Sequence, residues 1–99
     1  MYCALWEFRV RPGCETTFES AYGPDGDWAR LFTRDPAYVR TELLRDRTRA
    51  GRYLTADFWK DAGAFSAFRQ KFGAEYDALD RRCEAYTLEE RKLGEFEVD

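Results

Sequence analysis

One stripe of residues governs what this chain can become. From Phe65 onward, apolar side chains recur as Phe65, Phe68, Phe72, Tyr76, Leu79, Cys83 and Tyr86. The steps are three or four residues throughout, which places the whole series on one face of a helix. Immediately before it, 52-RYLTADFWK-60 has the period of two expected of a strand. Leu54, Ala56 and Phe58 share one face; Tyr53, Thr55, Asp57 and Trp59 share the other. Rings at helical spacing pack on a sheet, so this strand and its relatives supply the surface that the stripe needs. Asp61, at the junction, is placed to cap the helix.

The remaining elements follow from the same two periods. Residues 2–10, YCALWEFRV, alternate, with Tyr2, Ala4, Trp6, Phe8 and Val10 on one apolar face. The breaker 11-RPG-13 follows, with Pro12 placed to open a helix over 14–22. The stretch 23-GPDG-26 interrupts that helix. A second piece, DWARLF, carries Trp28, Leu31 and Phe32 at i, i+3 and i+4, with Asp25 or Asp27 as its cap. Residues 37–45 form a strand with Val39, Thr41 and Leu43 on one face and Tyr38, Arg40, Glu42 and Leu44 on the other. A hairpin loop over 46–51 joins it to the strand at 52–60. Its arginines, Arg45, Arg47, Arg49 and Arg52, read as solvated loop charge. Thr87 and Glu90 have the spacing of a capping box for a short turn, and 92–98 reads as the last strand. The order is β-α-β-β-α-β with the first helix split. This predicts one α+β domain over 1–99, a ferredoxin-like antiparallel sheet with its helices on one face. The other face still carries apolar side chains, and a second copy of the sheet is the simplest cover, so a two-fold homodimer is expected.

Absent residue types exclude much chemistry. The chain has no histidine, asparagine or isoleucine. Without histidine, serine-triad chemistry, common haem ligation and most zinc sites are removed. Cys3, Cys14 and Cys83 are odd in number and lack a CxxC pair, which argues against a zinc site and a disulfide framework. A net charge of −3 argues against nucleic-acid or membrane-surface binding. The first ten residues already alternate and are too short for a secretory leader, so a cytoplasmic location is expected. Aromatic residues make up 17% of the chain, a large share for a small domain to hide.

Four segments, 6-WEFRVRPG-13, 22-YGPDGDWARLF-32, 53-YLTADFWKDAGAF-65 and 93-LGEF-96, give the chain a resemblance to the antibiotic biosynthesis monooxygenase family. The resemblance implies a dimeric α+β barrel with a site between sheet and helices in each subunit. It implies one of two chemistries: oxidation of phenolic polyketides by molecular oxygen without metal or flavin, or haem cleavage. The haem-cleaving members need a histidine on the long helix, where this chain has Arg69. Both groups use an asparagine near the reacting oxygen, and this chain has none. In the family a tryptophan at the end of the third strand lines the site, a position that Trp59 matches.

The candidate residues each carry two readings. Trp59 either stacks a planar substrate or fills the strand–helix junction. Trp28 and Phe32 either roof a cavity or form the core face of a short helix. Phe65, Phe68 and Phe72 either line a substrate or pack on the sheet. Tyr76 stands apart, because a buried phenol needs a partner. Asp57 is the candidate general base, since a carboxylate among rings has a raised pKa. Arg40 either anchors an anion or joins a cross-strand ion pair. With these residues, the family resemblance implies a cofactor-free monooxygenase for a small planar aromatic or polyketide-like compound. The alternatives are a non-catalytic binding or sensing dimer with the same cavity, and a dimerisation protein whose cavity is filled by its own side chains.

Overall fold

The computed structural model describes residues 1–99. Its elements run β1 (Tyr2–Val10), α1 (Glu15–Tyr22), α2 (Asp27–Phe32), β2 (Tyr38–Arg45), β3 (Arg52–Trp59), α3 (Ala62–Lys71), α4 (Gly73–Cys83) and β4 (Thr87–Glu97). A 3₁₀ turn at Glu84–Tyr86 precedes β4. The strands form one antiparallel sheet in the order β2-β3-β1-β4. This is the ferredoxin-like α+β arrangement that the element order implied, with the helices packed on one face. No helix is long and apolar enough to cross a membrane.

Rings dominate the clad face. Trp59 is fully buried at the end of β3. Phe32, Tyr38, Phe65 and Phe68 surround it, with ring centroids 5.3 to 5.5 Å away. A second group, Phe8, Phe18, Tyr22 and Tyr53, meets where α1 crosses β1 and β3, with Phe18 and Tyr22 stacked at 4.2 Å. Tilted and edge-on contacts of this kind add to the gain from burying ring area. Asp61 caps α3 as expected, accepting a hydrogen bond from Ala64 N at 2.8 Å.

Four local expectations are corrected. First, the long helix is two helices. Phe72 leaves the helical region (φ −113°, ψ 28°), and Gly73, a weak helix former, begins α4. The break re-aims the stripe: Phe65 and Phe68 close over Trp59, whereas Tyr76 turns its ring to Trp28 at 4.8 Å. Second, the alternation of β2 is broken. Tyr38 lies opposite Trp59 and Arg40 opposite Phe58, so Val39 is an extra residue. This bulge puts Tyr38 on the same face as Thr41. Third, 87–90 is not a turn. β4 starts at Thr87, and its ladder to β1 pairs Phe8 with Glu90; the sheet outcompetes the local capping-box pattern. Fourth, neither Asp25 nor Asp27 caps α2, whose N-cap is Gly26. A Cβ at Gly26 would come within 2.6 Å of the carbonyl oxygens of Ser20 and Ala21, so the close turn needs glycine. Asp27 instead binds Arg30 beside it and Arg82 of α4.

The opposite sheet face is thinner. Cys3, Ala56 and Phe58 pack with Leu5 and Val98, while Leu44 and Phe96 remain 45% and 49% exposed. Glu7 binds Arg52 and Arg91 on this side.

The packing around Trp59 generates a stability prediction. Trp59→Ala should cost about 3–5 kcal/mol, the usual range for deleting a buried aromatic ring. Trp59→Phe should cost far less, because Trp59 Nε1 has no hydrogen-bond partner and its loss strands nothing. Urea unfolding of the two variants checks this; equal losses would contradict it.

Candidate functional site

Between the sheet and the α2/α4 pair the rings leave a gap. It encloses about 50 Å³. Its walls are six aromatic residues, Trp6 and Phe8 of β1, Tyr22 of α1, Trp28 and Phe32 of α2, and Tyr76 of α4. Its polar lining is Thr41, Thr55 and three carboxylates, Asp57, Asp80 and Glu90. As it stands, the gap has room for roughly three or four waters. A ring enters only if the walls part. One wall is α2, joined to α1 through the glycine-bounded 23-GPDG-26 and fastened to α4 by Asp27 and Arg82.

Asp57 is the chemical centre of the gap. Thr41 Oγ1 donates to Asp57 Oδ1 at 2.7 Å, and Tyr38 OH donates to Thr41 Oγ1 at 2.8 Å. The bulge at Val39 makes this chain possible, because it brings Tyr38 and Thr41 to one face. Burial pushes the Asp57 pKa up to about 6, and the Thr41 hydrogen bond only partly offsets it. No cation pairs with this carboxylate within the protein, so desolvation is uncompensated by charge. Tyr76 is raised as well, chiefly by burial, with Arg69 opposing; the Arg69 guanidinium lies 3.9 Å from the Tyr76 ring centroid. Glu90 is exposed as a residue, yet desolvation at the gap, then the charges of Asp80 and Glu84, raise its pKa. Trp28 Nε1 is buried without a partner.

The structure divides the expected site residues. Asp57, Tyr76, Trp28 and Phe32 meet at the gap. Trp59, Phe65, Phe68 and Phe72 do not line it; they form the ring cluster beside it, with Phe32 shared between the two. Arg40 is on the wrong side of the sheet for an anion anchor. It pairs with Glu42 at 2.9 Å and lies over the Phe58 ring at 4.1 Å, because β2 turns it to the back face. Sequence reasoning missed seven lining residues. Thr55 lies two residues from Asp57 and Asp80 four beyond Tyr76, so strand and helix periods signalled both. Trp6 and Phe8 were on the correct face. Tyr22 had only its i+4 pairing with Phe18. Thr41 was grouped with Leu43 on the correct face but nothing marked it as a site residue, and Glu90 was hidden by the misread turn.

Known proteins share this architecture. The family model for antibiotic biosynthesis monooxygenase matches residues 1–76. A comparison with curated proteins found no match. Among solved structures, the fold is similar to that of SnoaB, a cofactor-independent oxygenase from Streptomyces nogalater, at 26% identity. A mutant form of SnoaB covers 98% of this chain and 91% of its own with a TM-score of 0.80; another SnoaB structure covers 99% and 92% with a TM-score of 0.77. A protein from Deinococcus radiodurans, provisionally classed as an antibiotic biosynthesis monooxygenase, shares the fold at 10% identity, covering 100% of this chain and 93% of its own with a TM-score of 0.77. The chain belongs to the antibiotic biosynthesis monooxygenase family.

The buried carboxylate makes stability depend on pH. Between pH 3.8, the ordinary value, and about 6, the folded protein holds a proton that the unfolded chain has lost. Stability is therefore fully present below that window and declines as pH rises through it. Asp57→Asn removes this penalty, so the variant should gain over the parent by up to about 3 kcal/mol at pH 8 and by little at pH 4. Parallel urea titrations at both pH values measure the difference; an equal gain at both would overturn the assignment.

Proposed function

We propose that this protein is a cofactor-independent monooxygenase acting on a small planar aromatic or polyketide-like compound. The observation that carries the reading is the desolvated Asp57 carboxylate, held by Thr41 at the floor of an aromatic gap, in a member of this family. The likeness to SnoaB supports the same reading.

The chemistry follows from the proton affinity of Asp57. Ionised, it takes a proton from an acidic CH₂ flanked by carbonyl-bearing rings. The charge moves from carboxylate to substrate, so the site gains none, which matters because no lysine or arginine lines the gap. The carbanion reduces O₂ by one electron, and the pair recombines to a peroxide anion. Asp57 returns its proton to that anion. The hydroperoxide then loses water, leaving C=O where CH₂ was. One oxygen atom enters the product and the other leaves as water. Trp28, Phe32 and Tyr76 hold the ring, and Trp59 and its neighbours back Phe32 from the core.

The exposed apolar side chains of the back face, Leu44 and Phe96, supply the second part of the proposal. They take the same face of a twin subunit, forming a homodimer. Leu44→Glu with Phe96→Glu should convert the dimer to monomer in sedimentation experiments. A monomeric parent would remove this part.

A second reading is a dimer that binds or senses such compounds without converting them. It is favoured by the lack of a basic side chain to hold the substrate oxyanion. Oxygen uptake with anthrones and hydroquinones separates the two. Catalysis predicts uptake that rises with pH through about 6 and falls roughly 100-fold or more in Asp57→Asn. Thr41→Val removes the bond that favours the ionised form, so its acid limb should move to higher pH. Ligand recovered unchanged, with no uptake, would select the binding reading.

A further inference from the structure

The gap is acidic and aromatic at once. Its lining has three carboxylates and six rings, and no lysine or arginine, in a chain with 16 basic residues. Several of those bases are held elsewhere. Arg82 binds Asp27, Arg91 and Arg52 bind Glu7, and Arg34 binds Glu75. Arg69 covers the Tyr76 ring from outside the lining. Asp80 of α4 is half-buried and Glu90 of β4 is exposed, and neither is ion-paired, although Glu90 also borders a groove lined by Arg9, Arg49, Arg52 and Arg91. Asp57 lies deeper, desolvated, and its known partner is a neutral hydroxyl.

We propose that the ligand of this gap is a planar aromatic compound bearing a protonated amine, with its ring among Trp28, Phe32 and Tyr76 and its ammonium between Asp80 and Glu90. The proposal deepens the reading of this gap as the substrate site and rests on it. Three physical reasons support a cation. An ammonium supplies the counter-charge that Asp80 and Glu90 lack. Ring faces attract cations through their quadrupoles, and desolvation strengthens that attraction. A carboxylate or phosphate ligand would instead meet like charge at Asp80, Glu90 and Asp57 with no lysine or arginine in the lining to offset it. Proton abstraction by Asp57 fits the same arrangement, because an ammonium held between Asp80 and Glu90 stabilises the carbanion formed deeper in.

A matched one-ring series tests this without knowledge of the natural compound. Benzylamine, benzyl alcohol and benzoate differ in charge and little in shape. Binding is followed by NMR shifts of the Trp28 indole N–H in the unmodified chain. The expected order is benzylamine over benzyl alcohol by about tenfold or more, with benzoate weakest. The tenfold ratio corresponds to about 1.4 kcal/mol. Added salt should weaken the amine selectively. In Asp80→Asn with Glu90→Gln, the amine-to-alcohol ratio should collapse towards one and benzoate should gain. The parent ranking alone is decisive should that variant fail to fold. Benzoate binding as well as benzylamine, an unchanged ratio in the folded variant, or no shift with any of the three probes would overturn the proposal. Oxygen uptake is scored separately. A cation preference without turnover sinks the monooxygenase reading alone; turnover of anthrones without a cation preference sinks this proposal alone.

Discussion

Everything in this molecule hangs on covering one face of a four-stranded sheet with aromatic rings. Trp59 is the anchor of that cover. It touches Phe32 of α2, Tyr38 of β2 and both Phe65 and Phe68 of α3, so it ties two helices to two strands. Rings are rigid and do not fill space as aliphatic chains do. Between the sheet and the α2/α4 pair they fail to close, and the gap above Asp57 is the result. Structure and site therefore share one cause.

The position of the gap is set by two irregularities. The break at Phe72 and Gly73 divides the apolar stripe into a half that seals Trp59 and a half that roofs the gap. The bulge at Val39 turns Tyr38 onto the face of Thr41 and Asp57, where it supports Thr41. A regular helix and a regular strand would each place one of these groups wrongly. Trp59 thus acts on the gap through Phe32 and not by lining it, and Arg40 is withdrawn to the back of the sheet.

The electrostatics follow from the same geometry. The ion pairs lie around the rim and on the back face, such as Glu7 with Arg52 and Asp27 with Arg82. The gap itself keeps only acids. A carboxylate buried without a counter-charge is costly, and its raised proton affinity is how that cost appears at Asp57. That penalty is also what suits the group to take a proton near neutral pH.

The sequence alone determined the element order, the capping of α3 by Asp61 and the face of β3 that carries Asp57 and Trp59. These depend on periods of two and of three to four residues, which neighbouring side chains reveal directly. It also marked Trp28, Phe32, Tyr76 and Asp57 for the site. Only the tertiary structure decided which rings line the gap and which meet each other. Glu90 became a site residue because β1 recruited Thr87–Glu97 into the sheet against a local turn signal. Tyr38 joined Thr41 and Asp57 because one extra residue in β2 reversed the alternation beyond Arg40. Both events are bought by contacts between segments far apart in the chain, and no local period records those.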